Sequence, residues 1–207
     1  MEDRTLNEKE SLELITRMIQ NSKKNMELGS VNIFLLWGYL SVVTAAVVLL
    51  LVWQTGIMKW NWLWFAIPLL GWPLQAYLGK KAGRPVLTYT DKVITAVWSV
   101  LGMAMGAGAV VYCTDADTST FILPMMVLCA GIGVAITGAV ICDRWMRFCG
   151  IFSFFIGLFS IKGMESFNLE GWYYDCATFI VCIVLMFIIP GHRLNREARR
   201  MRKGGGE

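Results

Sequence analysis

Polar residues fill the first thirty positions, and apolar runs then recur to position 190 with only short polar breaks between them. Six runs stand out, near 31–53, 60–79, 92–113, 119–141, 145–162 and 171–190. Each holds about 20 residues, roughly 30 Å as a helix, which is the thickness of a bilayer's hydrocarbon core. The pattern predicts an all-α fold: an integral membrane bundle of six transmembrane helices. The breaks are short, so consecutive helices are expected as antiparallel neighbours. Arg144 and Arg147 crowd the start of the fifth run and make its boundary the least sharp.

The first thirty residues carry a different period. Leu12, Ile15, Ile19 and Met26 repeat at three, four and seven, with Leu14 and Met18 beside that stripe,. Thr5-x-x-Glu8 has the form of a capping box, and Gly29-Ser30 closes the segment. An amphipathic helix is expected over 5–28. Its stripe must bury on the membrane surface, on the bundle or on a partner. The first apolar run, Val31 to Trp53, is too long for a signal-peptide core and lacks a small-residue cleavage site,. It reads as a retained span. The expected organisation is therefore a cytoplasmic arm over 1–30, a six-span domain over 31–190 and a basic tail over 191–207.

The second run, WNWLWFAIPLLGWPLQAYLGKK, is the most unusual. Trp60, Trp62 and Trp64 suit an interface, where an indole buries its rings and still hydrogen-bonds at headgroup level. Pro68 and Pro73 remove helix hydrogen bonds to the carbonyls of Trp64 and Leu69, so a kink is expected. Freed carbonyls need partners, so this span should face helices or water. Gln75 is placed to bond a freed carbonyl or a ligand.

Composition agrees with the pattern. Hydrophobic residues make up 56% and mean hydropathy is +0.54. Charged residues are 16%, against about 25% in ordinary globular chains. Of the 19 Lys and Arg, only Lys59 and Lys162 fall on one side of the six-span arrangement. The other 17 lie on the arm, the 79–92 loop, the 141–147 turn and the tail. The positive-inside bias then puts both termini in the cytoplasm. Arg196, Arg199 and Arg200 of the tail are candidates for contact with anionic headgroups or with a partner. Nucleic acid is a remoter partner, since no aromatic residue interleaves these cations.

Spans three and four are rich in small residues, GMAMGAGA over 102–109 and CAGIGVAITGA over 129–139. Gly102, Gly106, Gly131 and Gly138 read as helix-packing positions, or alternatively, with Pro68, Pro73 and Gln75, as the lining of a pathway. A homo-oligomer is also open. Three hairpins of similar layout, with Trp37, Trp98 and Trp145 near the odd starts, hint at an old repeat.

Catalytic chemistry finds no foothold. The span interiors carry neutral polar groups, not the buried carboxylates or His relay of proton-coupled transport. His192 is the single histidine, so a two-His haem within one chain is excluded. GxSxG, HExxH, SxxK and P-loop patterns are absent from the sequence,. No CxxC pair occurs among the six cysteines, and no cofactor or metal centre is expected. Asp115, Asp117, Glu165, Glu170 and Asp175 are read as ordinary loop acids before a cation site. A disulfide between Cys113 and Cys176, near outer span ends, stays open.

NEKESLELITRMIQNSKKN, the FLLWGY entry, WNWLWFAIPLLGWP and LTYTDKVITAVW together resemble uncharacterised small multi-span membrane proteins of Bacteroidetes-type bacteria. The likeness covers the arm and the first three spans. Members of that group accompany a winged-helix regulator, so the resemblance implies a regulatory accessory and brings no catalytic residues. The expected function is thus a non-enzymatic membrane accessory that binds a cytoplasmic partner through its arm and tail, with Leu12, Ile15 and Ile19 on the contact stripe. The alternative is a channel or transporter for a small neutral solute.

Overall fold

The computed structural model describes residues 33–81, 89–113, 121–162 and 169–204. Among the described residues the chain is helical, with no strand. Helix α1 spans Ile33–Thr55. A 3-10 segment over Met58–Phe65 leads into α2, Ala66–Lys81. Then come α3 (Tyr89–Cys113), α4 (Ile122–Val140), α5 (Arg144–Lys162) and α6 (Leu169–Ile183). A π-helical turn, Val184–Ile188, joins α6 to α7, Ile189–Gly204. The predicted arm helix and its stripe, Leu12, Ile15 and Ile19, lie outside the described residues.

Five helices are long and apolar enough to cross a membrane: Ile33–Thr55, Thr90–Val111, Ile122–Val140, Arg144–Ile161 and Glu170–Arg196. This is the signature of a membrane protein. The run predicted as the second span is not among the five. Its aromatic half winds as a 3-10 helix and only its second half as an α-helix. Pro68, third in α2, cannot donate to the Trp64 carbonyl, and its ring crowds that carbonyl in α geometry. The chain upstream takes the tighter winding instead. Pro73 sits inside α2.

Helix α4 is the axis of the bundle, and α5 packs on it backbone to backbone. A Cβ on Gly131 would lie 2.8 Å from the amide nitrogen of Phe154, and one on Gly157 2.9 Å from that of Leu128. On Gly138 it would overlap the backbone of Arg147, and on Gly150 that of Ala135. Gly131 and Gly138 are seven apart on α4, as are Gly150 and Gly157 on α5, so the glycines of each helix recur on one face. In lipid, such contact gains dispersion where hydrophobic transfer offers little. The turn between them is only Ile141–Asp143. Cys142 adopts φ 63°, the left-handed conformation that ends many helices,. Asp143 then caps α5, its Oδ1 accepting from the amide of Met146 at 3.0 Å,.

Two more helices complete the core with stripes at three- and four-residue spacing. Ala45, Val48 and Val52 of α1 are buried, as are Cys176, Phe179, Cys182 and Met186 of the last span. Cys176 is a free thiol in this core, so it takes no part in the disulfide left open above. Helix α3 lies at the edge, with none of its most apolar window buried.

Candidate functional site

The polar contacts between helices gather at the basic end of the bundle, where α1 begins, α7 leaves and α4 turns into α5. Two tryptophans act as locks there. Trp37 of α1 lies over Gly71 of α2, where a Cβ would come within 2.6 Å of the indole. Its Nε1 donates to Gln75 Oε1 at 2.8 Å. Trp98 of α3 lies over Gly133 of α4 in the same way and donates to Thr137 Oγ1 at 3.1 Å. Thr137 passes its own proton to the Gly133 carbonyl at 2.7 Å. Each lock uses a glycine and, one turn further on, an acceptor.

Between the locks stands a three-ring cluster from three elements. Phe34 meets Phe187 at 5.3 Å and Trp98 at 5.8 Å, and Trp98 meets Phe187 at 5.7 Å. Phe187 belongs to the π turn. Such turns widen a helix by one residue and recur at functional positions. Here the widening precedes Pro190, whose ring would press on the Met186 carbonyl in a regular helix.

Just beyond, the last helix is clamped to α1. Gly38 packs on Phe187 and Ile188, and Gly191 on the side chain of Leu35. The order is reversed between the two helices, so they run antiparallel. Tyr39 and His192 share a hydrogen bond of 2.6 Å through the phenol oxygen and Nε2. One residue on, the Arg193 guanidinium stands 5.8 Å from the centre of the Trp145 ring, a cation–π contact between α7 and α5.

Set against the residues singled out from the sequence, the outcome divides. Gly131 and Gly138 are in backbone contact with α5, whereas a Cβ on Gly102 or Gly106 would meet nothing within 4 Å. The Gln75 side-chain oxygen accepts from Trp37 of α1. Arg196 is exposed on α7. Arg199 and Arg200 continue that helix, and their side chains lie outside the described residues. Among the described residues no group of three or more His, Cys, Asp and Glu side chains is placed to hold a metal ion. The two locks and the Tyr39–His192 clamp went unread. The two locks had a signal: a tryptophan 38 or 39 residues before an acceptor that itself follows a glycine by four.

No known family, curated protein or solved structure matches the chain.

Proposed function

We propose that the protein is a six-crossing, non-enzymatic accessory of a bacterial cytoplasmic membrane, with both termini in the cytoplasm. Its arm and its tail helix bind a cytoplasmic partner. One observation carries this reading: α1 and the root of α7 are clamped together by Leu35 on Gly191 and by Tyr39 on His192. The arm enters through α1 and the tail leaves through α7, so both segments depart from one corner of the bundle. A partner holding both would act directly on that clamp.

The sixth crossing is the path of 58–81. At one end Trp60 donates to Thr55, the last residue of α1, at 3.0 Å. At the other, Gln75 lies beside Trp37 in the first turns of α1. The chain has thus returned to the end from which α1 set out. Eight residues of 3-10 helix and sixteen of α-helix cover about 40 Å, enough for a core of about 30 Å. With six crossings the cations gather on one side, as the positive-inside rule demands. The solute-conduit reading draws on Gly102, Gly106, Gly131, Gly138, Pro68, Pro73 and Gln75; of these, Gly131, Gly138 and Gln75 are engaged in contacts between helices, and Gly102 and Gly106 have open space beside them.

Reporter fusions test the topology. Fusions after Gly83 and after Glu207 should report the cytoplasm, and fusions at Thr118 and Asn168 the opposite side. An external signal at Gly83 would remove the sixth crossing. For the partner, Ile15→Ser with Ile19→Ser should leave the bundle's thermal stability unchanged and abolish co-purification of whatever protein accompanies the wild type. A fall in the stability of the purified variant would instead place the arm against its own bundle.

A further inference from the structure

We infer that the corner between α5 and α7 is a binding site for one anionic phospholipid. Trp145, Phe148, Phe152, Phe155 and Phe159 recur at three and four along α5, which puts all five on one stripe. All five are exposed. The Phe148 and Phe152 rings lie parallel, 6.4 Å apart at 8°. A lipid-facing helix needs no such ridge, since aliphatic side chains serve as well.

The top of the ridge is cationic. Arg144 and Arg147 are exposed on the same turn as Trp145. Arg193 reaches over the Trp145 ring from α7, and Arg196 stands exposed one turn further on. Asp143, the acid of this turn, is directed to the N-terminus of its own helix, where it caps Met146. The corner therefore combines one guanidinium over an indole, two more exposed on the same helix turn, and an aromatic track leading away from them.

This chemistry fits a phosphate at the head and an acyl chain along the track. Guanidinium groups bind phosphate oxygens in a bidentate fork. From Trp145 to Phe155 the helix rises about 15 Å, half of a hydrocarbon core of about 30 Å, so the first four rings of the track match one leaflet. A zwitterionic headgroup would bring its own cation among the arginines, whereas an anionic one brings none. A second copy of the chain would set a second cluster of arginines beside the first, at a Coulomb cost. Basic corners between helices are where anionic headgroups settle on membrane proteins. The inference rests on the orientation proposed above only for the leaflet: the cytoplasmic one.

The test uses the purified full chain in mixed micelles of detergent with phosphatidylglycerol or with phosphatidylcholine. Near saturation, phosphatidylglycerol should raise Tm by about 5 °C more than phosphatidylcholine does. The triple variant Arg144→Gln, Arg147→Gln, Arg193→Gln should lose that difference. The variant Arg199→Gln, Arg200→Gln should keep most of it. An equal response to the two lipids would overturn the site, and so would a triple variant that responds like the wild type.

Should the Gln variant prove unstable in phosphatidylcholine, brominated lipid gives a second readout. The fluorescence difference between wild type and Trp145→Phe should be quenched by brominated phosphatidylglycerol several-fold more than by brominated phosphatidylcholine. Equal quenching would reject the site. If Phe148→Ala with Phe152→Ala turns an oligomer into a monomer while the lipid response stays whole, the ridge belongs to a second copy and the inference fails. The response to phosphatidylglycerol does not depend on which leaflet the site faces. Wrong-sided reporter fusions would therefore overturn the orientation and leave the site standing.

Discussion

Helices α3 and α4 look alike as sequences and occupy opposite positions in the molecule. Both are apolar, both are crowded with glycine and alanine, and both are long enough to cross a bilayer. Yet 56% of the most apolar window of α4 is buried and none of that of α3. The difference lies in the neighbour. The glycines of α4 at 131 and 138 meet a helix with glycines of its own at the same spacing, 150 and 157, and a three-residue turn brings the two faces together. Gly102 and Gly106, four apart on α3, meet no such face. A small-residue stripe creates an opportunity for close approach; only a second stripe in register uses it.

The sharpest way to break this contrast is to fill the α4–α5 contact. Gly138→Val should cost about 3 kcal/mol of stability, because the new side chain meets the backbone of Arg147 and not a side chain that can turn away. Thermal unfolding in detergent would read it; a variant within 1 °C of wild type would show that the two helices are less tightly apposed than described.

The lock that ties α3 to α4 comes next. Thr137→Val keeps the shape and removes the acceptor of the Trp98 N–H, at a cost of about 1 kcal/mol. Gln75→Leu should cost a similar amount in the other lock. Trp98→Phe combined with Thr137→Val would then add little, and full additivity of the two changes would argue against the bond.

The turn offers a smaller effect of opposite sign. Cys142→Gly relieves a left-handed residue at the expense of a more flexible unfolded chain, for a net gain of about 0.5 kcal/mol. Cys142→Val at the same position should lose stability, and a reversed order of the two would contradict the assigned backbone. Smallest of all is Gly106→Leu, expected within about 0.5 kcal/mol of wild type, since nothing stands where its side chain would go. A large loss there would mean that the Gly106 face of α3 has a neighbour after all.

Much of this architecture was legible in the chain. Five spans follow from apolar runs, and their ends fall close to the described helix ends, because lipid leaves backbone groups no option but helical pairing. The composite nature of 58–81 was half legible. Pro68 and Pro73 announced a disturbance, but a kink and a stretch of 3-10 helix are alternative responses to the same missing hydrogen bond, and only packing selects between them. Local sequence around Gln75 points to the carbonyls of its own helix, whereas the donor to its side-chain oxygen, Trp37, comes from another helix. The three-ring cluster of Phe34, Trp98 and Phe187 joins residues up to 153 positions apart; no local pattern carries that information. The π turn was invisible for a related reason: Val184–Ile188 is as apolar as the residues on either side of it.

That turn makes the last helix a crankshaft. Successive residues of an α-helix are offset by about 100°, so a turn that takes in one residue more than its neighbours shifts the angular phase of all that follows. Everything from Ile189 onward owes its heading to those five residues. With the widened turn in place, His192 points at Tyr39 and Arg193 at Trp145. Were it to tighten to regular winding, both side chains would swing off their partners together, and the cationic face of α7 would be presented to a different quarter of the membrane surface.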